Sequence, residues 1–267
     1  MAEPIMIGLL HPGEMGVALG HCLIGRGHQV LWASAGRGRQ TAGRALASGL
    51  SDVGTAAAVA GRADVIVSVC PPHAALDVAR SVPGFSGTYV DANAISPQTA
   101  CRVAEIVTAD GARYVDGGII GPPPEVSGST RLYLSGAAAG SVRGLFDGTA
   151  LEARIAGGGP WSASAVKMAY AAWTKGSAAL LLAARELAES EGVGDVLTAE
   201  WQLSQPGLVE RHGAAERSAA SKGWRWTAEM HQIAATMAVA GLPAGFHLAA
   251  AEIFARFPRP VPESGRQ

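Results

Sequence analysis

Gly8-Leu9-Leu10-His11-Pro12-Gly13-Glu14-Met15-Gly16 follows an apolar run that begins at Ile5 and opens an amphipathic segment reaching Gly25. A strand that passes into a helix through closely spaced glycines brings backbone amides to a dinucleotide pyrophosphate. One glycine makes the bend, a second lets the backbone approach the anion, and a third lets helix and strand pack. Gly13 and Gly16 take the second and third roles, and His11 stands where the first glycine is usual. The strand before and the helix after give the motif its meaning. Gly8, His11, Pro12, Gly13, Glu14, Met15 and Gly16 are therefore the residues expected to hold a dinucleotide.

Outward from this turn, short apolar runs alternate with helical stretches. The runs are Ile5–Leu10, Gln29–Ala33, Asp64–Val69, Thr88–Asp91, Arg113–Asp116, Arg131–Leu134 and Leu151–Ile155, and the helical stretches between them are Gly13–Gly25, Gly38–Ala47, Ala74–Arg80, Pro97–Thr108 and Ala138–Phe146. This alternation predicts a mostly parallel sheet covered on both faces, an α/β chain with an N-terminal doubly wound Rossmann sheet. The pattern changes at Gly157-Gly158-Gly159-Pro160, which places a domain boundary between residues 1–158 and 159–267. Trp161 to Glu191 is rich in Ala and Leu and predicts one long helix, roughly 45 Å at 1.5 Å per residue, which suits packing against a second subunit. Helices at Val196–Leu203, Leu208–Ala220, Trp226–Ala240 and Ala244–Phe257 complete an all-α domain, with Pro258–Gln267 expected to fray.

About 20 residues past the glycine turn, an NAD site places a carboxylate on the ribose hydroxyls. This chain instead reads Ala33-Ser34-Ala35-Gly36-Arg37-Gly38-Arg39, with two arginines and no acid. A guanidinium fork there suits a 2′-phosphate, so NADP(H) is the expected cofactor, with Arg37 leading and Ser34 and Arg39 beside it. Val69-Cys70-Pro71-Pro72 ends the next long run at the same sheet edge and reads as a wall of the cofactor cleft. A nucleophilic Cys70 is disfavoured, since the sequence sets no histidine beside it.

Composition narrows the alternatives. A net charge of -1 with 21 basic and 22 acidic residues offers no dominant basic face for a nucleic acid. The three cysteines lack pair spacing and fit a reducing compartment, and no Cys/His cluster has metal-ligand spacing. The apolar start has no basic leader and breaks at Pro12-Gly13, which reads as a strand and not a signal peptide. The uncharged stretch Gln232–Ala251 is interrupted at Gly241-Leu242-Pro243 and reads as two helices and a turn rather than a membrane span. A cytoplasmic enzyme with a small-molecule substrate is expected.

With these residues identified, the chain resembles the β-hydroxyacid dehydrogenase and 6-phosphogluconate dehydrogenase superfamily. Gly13-Glu14-Met15-Gly16 resembles its Gly-x-Met-Gly turn, and Asp91-Ala92-Asn93-Ala94-Ile95-Ser96-Pro97 resembles its Asp-x-Ser-Thr-x-x-Pro block near the nicotinamide. Asp116-Gly117-Gly118-Ile119-Ile120-Gly121 occupies the place of its substrate-loop block, and Gly159 with Lys167 resembles the segment carrying its catalytic lysine. Trp224-Arg225-Trp226-Thr227-Ala228-Glu229-Met230 and Ala240-Gly241-Leu242-Pro243 are similar to a small branch with a phosphogluconate dehydrogenase-like C-terminal domain. The resemblance implies a homodimer with interlocked helical domains. Two positions depart from it: the hydroxyacid enzymes' substrate-loop serine and the asparagine one turn past the lysine are here Ile120 and Ala171. Loss of two polar contacts makes a small hydroxy acid a poor fit, because a buried carboxylate needs paired donors.

Lys167 is thus the expected general acid and base. Tyr170 and Thr174 follow it by three and seven residues and can share its helix face as substrate contacts, although Tyr170 reads equally well as packing. Asn93 is expected to position the nicotinamide or a substrate oxygen. Trp226, Glu229 and His231 are weaker candidates for closing the pocket. Three functions fit: a dehydrogenase or carbonyl reductase using Lys167, an imine reductase acting on a cyclic imine, and a non-catalytic NADP(H)-binding protein.

Overall fold

A computed structural model describes residues 3–259. The chain divides into two compact units between Met168 and Ala169. Among the described residues, eight strands of the first unit form one sheet: β1 (Met6–Leu10), β2 (Gln29–Trp32), β3 (Ser51–Asp52), β4 (Val65–Ser68), β5 (Thr88–Asp91), β6 (Arg113–Ile120), β7 (Thr130–Ser135) and β8 (Leu151–Ile155). Their order is β3-β2-β1-β4-β5-β6-β7-β8, parallel throughout except for the β6–β7 pair. Crossovers are made by α1 (Glu14–Gly25), α2 (Arg39–Ala47), α3 (Ala56–Ala60), α4 (Ala75–Arg80), α5 (Pro97–Thr108) and α6 (Ala139–Gly144). The Rossmann sheet expected from the alternation is present.

The apolar runs lack polar alternation because both sheet faces are covered. Ile7, Leu9, Val65 and Val67 join Leu19 and Leu23 of α1 on one face. Leu10, Ile66 and Tyr89 join Val78 of α4 and Val103 of α5 on the other. Strand order reverses between β1 and β4, so the loops after these strands flank the crevice where ligands of such sheets bind.

Two local expectations are corrected. β6 does not end at Asp116 but continues to Ile120, because Gly117 to Ile120 pair antiparallel with Leu134 to Arg131. The Asp116–Gly121 block is therefore mostly strand and not loop. Between α2 and β4, where no element was expected, β3 and α3 intervene, with the Thr55 hydroxyl capping Ala58 N–H of α3 at 3.1 Å.

One continuous helix, α7 (Ser162–Ser190), begins in the first unit and runs into the second. The second unit adds α8 (Gly194–Ser204), α9 (Leu208–Val239) and α10 (Gly245–Ala255). Instead of two helices at Leu208–Ala220 and Trp226–Ala240, α9 is a single helix. Gly223, within the stretch taken as a break, sits where a Cβ would stand 3.0 Å from Cβ of Phe257; the glycine serves helix packing, not chain reversal. Among the described residues no helix is long and apolar enough to cross a membrane. Residues 260–267 of the tail expected to fray lie outside the described residues.

Candidate active site

His11 adopts φ +69, the one left-handed non-glycine residue among those described. The turn thus takes the backbone conformation that a first glycine would make easy, at a modest steric cost that histidine tolerates better than most side chains. The bend is closed by a hydrogen bond from Gly13 N–H to the His11 carbonyl at 2.8 Å. At Gly16 a Cβ would stand 2.5 Å from that same carbonyl, so Gly16 is required for α1 to start beneath the turn. Gly13 precedes α1 without a capping side chain, and a Cβ there would meet no protein atom within 4 Å. Backbone amides at an uncapped helix start fit an anion. Gly8 has a different local duty: a Cβ would stand 2.3 Å from Val59 Cγ1, so its lack of a side chain seats α3 against β1.

His11, Arg37 and Cys70, from the loops after β1, β2 and β4, are electrostatically coupled. Burial and then the Arg37 charge lower the His11 pKa to about 4, leaving a neutral imidazole whose buried Nδ1 has no hydrogen-bond partner among the described residues. Burial, reinforced by the Asp91 charge, pushes the Cys70 thiol up to about 12. A thiol held protonated is a poor nucleophile. Arg37 is exposed, in a turn where its N–H bonds the Ser34 carbonyl at 2.9 Å, and Arg39 opens α2, also exposed. Ser34 N–H donates to Asp52 Oδ1 at 3.2 Å, and the Ser34 hydroxyl also holds the Asp52 carboxyl below its ordinary range. Ser34 is thereby tied to a carboxylate.

Asn93 is buried and its side chain is turned into the protein. Its Oδ1 accepts from Cys70 N–H at 2.5 Å, while Nδ2 donates to Asp91 Oδ1 at 2.6 Å and to Ser68 Oγ at 3.0 Å. Both amide protons are consumed, so the side chain pins the β4 and β5 loops together. Asp91, fully buried, also accepts from Tyr114 Oη at 3.1 Å and lies in register with Asp116 on the next strand. Burial above all, with the Asp116 charge adding, pushes Asp91 up to about 7 against the donors from Asn93 and Tyr114.

That shift has a measurable consequence. Between roughly pH 4 and pH 7 the folded chain keeps a proton that the unfolded chain has released, so this group's contribution falls as pH rises through that window. Melting temperatures of wild type and Asp91→Asn, measured from pH 5 to pH 8, are expected to diverge, with wild type losing more toward pH 8. Parallel curves would refute the assignment.

Gly118 brings α7 onto β6: a Cβ there would stand 2.6 Å from the Ala163 carbonyl and 2.9 Å from Lys167 Cβ. Lys167 is half-buried at that contact, and Ile120, two residues further along β6, is buried. In the second unit, Ala171 is buried, Tyr170 is exposed, and the Thr174 hydroxyl donates to the Tyr170 carbonyl at 3.0 Å. Thr174, Lys175, Arg211 and Trp226 line a cleft of about 350 Å³ between α7 and α9. Trp226 packs edge-on against Phe254 at 5.0 Å, buried Glu229 forms an ion pair with half-buried Lys175, and His231 is exposed. Asp116 opens the block quoted from the sequence, but its hydrogen-bonding to Ser135 of β7 and Ser164 of α7 was not expected there. An aspartate inside an otherwise buried strand was the available signal. Among the described residues no cluster of His, Cys, Asp and Glu is placed to hold a metal.

Comparison with known proteins extends this picture. The family described as the NAD binding domain of 6-phosphogluconate dehydrogenase matches residues 6–145, and a domain of unknown function, DUF1932, matches residues 188–257. An uncharacterized 28.5 kDa protein of Methanothermus fervidus is 30% identical over 135 residues, 50% of this chain and 51% of that protein; the match spans about half of its length. Among solved structures, the conserved protein MTH1747, of unknown function and described as structurally similar to 3-hydroxyacid dehydrogenases, is 27% identical with a TM-score of 0.68, covering 95% of this chain and 96% of that one. A reductive aminase from Aspergillus terreus, in complex with NADPH and ethyl levulinate, shares the fold at 22% identity and TM-score 0.61, covering 95% and 93% of the two chains.

Proposed function

This chain belongs to the β-hydroxyacid dehydrogenase and 6-phosphogluconate dehydrogenase superfamily, and from that membership we propose that it is an NADP(H)-dependent oxidoreductase interconverting a hydroxy compound and its carbonyl, with Lys167 as general acid and base. The observation that carries the reading is the close seating of Lys167 on Gly118 of β6. A lysine at a strand–helix contact that tolerates no side chain beneath it has a fixed stem, unlike a lysine on a solvated helix face.

The residues of the first turn fit the cofactor. The uncapped start of α1 and the side-chain-free Gly13 suit a pyrophosphate, and exposed Arg37 suits a 2′-phosphate. When bound, the nicotinamide supplies or accepts the hydride. In reduction, protonated Lys167 Nζ gives its proton to the carbonyl oxygen; in oxidation, neutral Nζ takes the hydroxyl proton. Asn93 acts one step back, holding the Cys70 amide and the loop after β4. Neither Ile120 nor Ala171 offers a donor, which supports a substrate other than a simple small hydroxy acid.

The same two apolar positions, together with the shared fold of the reductive aminase, favour imine reduction as the second reading. The deciding experiment follows NADPH and NADH absorbance with purified protein against aldehydes, ketones, keto acids and cyclic imines. The proposal expects carbonyl turnover with NADPH preferred. Turnover of imines alone establishes the second reading, and tight NADPH binding with no turnover across the panel favours a non-catalytic binding protein.

We also propose a homodimer formed through α7. Val166, Trp173, Leu180 and Leu187 repeat every seven residues, and the last three are 69%, 71% and 62% exposed. A seven-residue apolar repeat is the spacing of a helix–helix seam, and large side chains left this open are unusual on a monomer. Light scattering is expected to give about twice the 27.1 kDa chain mass; a mass of one chain at micromolar concentration would remove the dimer.

A further inference from the structure

The start of α7 is capped by strands instead of by its own sequence. A helix leaves its first N–H groups without intrahelical partners, and a local Ser, Thr, Asp or Asn usually supplies the cap. Here Ala163 N–H donates to Ser135 Oγ of β7 at 3.0 Å, and Ser164 N–H donates to Asp116 Oδ2 of β6 at 2.8 Å. The Ser164 hydroxyl donates to Asp116 Oδ1, and the Ser135 hydroxyl lies 3.0 Å from both Asp116 Oδ2 and the Pro160 carbonyl, donating to one of them. Asp116 and Ser164 are fully buried and Ser135 nearly so.

Asp116 and Gly118 stand two residues apart on β6, so their Cα–Cβ directions lie on one face of the strand. Asp116 therefore fixes the first turn of α7, and bare Gly118 admits the following turn, which carries Lys167. A carboxylate at a helix N-terminus is electrostatically favourable, and several donors offset its desolvation. Apolar packing alone would hold α7 on the sheet without fixing its rotation as these directional bonds do.

We propose that Asp116, with Ser135 and Ser164, is the positioning group that sets the height and rotation of Lys167 over β6. The proposal rests on the reading of Lys167 as acid and base, and it assigns Asp116 no contact with substrate.

The chain contains three lysines, Lys167, Lys175 and Lys222, so reductive methylation with ¹³C gives a readable NMR probe that needs no substrate. In Ser164→Ala, the Lys167 resonance and its titration midpoint are expected to move while Lys222 stays unchanged. With a substrate that is turned over, kcat is expected to fall about tenfold, the size of one lost hydrogen bond, with KM within about twofold. Asp116→Asn is expected to move the same resonance further. If that variant does not fold, Ser135→Ala takes its place, since it removes the bond to Ala163. An unmoved Lys167 resonance in folded Ser164→Ala overturns the positioning role even where Lys167→Ala abolishes turnover. Equal movement of all three lysines also overturns it, as a general loosening. Full turnover in Lys167→Ala removes the premise instead, whatever the resonances show.

Discussion

Lys167→Ala is expected to lower kcat by roughly 10²- to 10⁴-fold, the range over which a positioned acid–base group contributes, with NADPH affinity unchanged within about twofold. The separation of the two effects follows from the fold. The glycine turn after β1 and Arg37 after β2 are independent of the α7 side chain, whereas the proton must be exchanged at the reacting oxygen. Lys167→Arg is expected not to restore the rate, because a guanidinium does not release its proton near neutral pH. Steady-state kinetics with the best substrate of the carbonyl panel, beside NADPH fluorescence titration, give both numbers. Undiminished kcat in Lys167→Ala takes the lysine out of the mechanism, and an equal loss of cofactor affinity would mean the substitution had disturbed the nucleotide site.

Gly118→Ala is expected to cost stability and rate together. The added Cβ would stand 2.6 Å from a backbone carbonyl oxygen of α7 and 2.9 Å from the Lys167 Cβ, so strand and helix must separate. Overpacking of this kind costs about 1–3 kcal/mol. In a chain of this size that is a fall of roughly 3–10 °C in melting temperature. Displacing the lysine stem by a fraction of an ångström is expected to reduce kcat by at least about tenfold, since catalytic geometry is sensitive at that scale. Gly13→Ala is the matched comparison: no protein atom lies within 4 Å of its Cβ position, so its melting temperature should stay near wild type. A Gly118→Ala variant as stable and active as wild type would show that α7 is free to ride over the sheet.

Much of the nucleotide-binding half was legible in advance. Parallel strands buried on both faces must be continuously apolar, and such runs, punctuated by glycine turns, are readable without partners. The expectation for Arg37 came from its distance past the turn, where a nucleotide ribose is met. The bond from Ser34 N–H to Asp52 was not legible, because it ties the loop after β2 to a residue 18 positions further on. The continuity of α9 was not legible, because a glycine such as Gly223 looks the same in sequence whether it breaks a helix or admits a neighbour. Asn93 was singled out by its block after β5, but the direction of its side chain depends on Ser68 and Cys70 from β4 and its loop, which no local pattern brings to it.

His11 shows the division within the opening turn itself. The sequence by itself determined that a strand, a glycine turn and a helix occur there, since hydrophobic period and backbone freedom are local properties. Only the tertiary structure decided that His11 takes the left-handed conformation, that the His11 carbonyl leaves no room for a side chain at Gly16, and that Asp116 caps a helix 48 residues away. Those outcomes depend on which surfaces meet after folding, and contacts between distant segments leave no periodic trace in the chain.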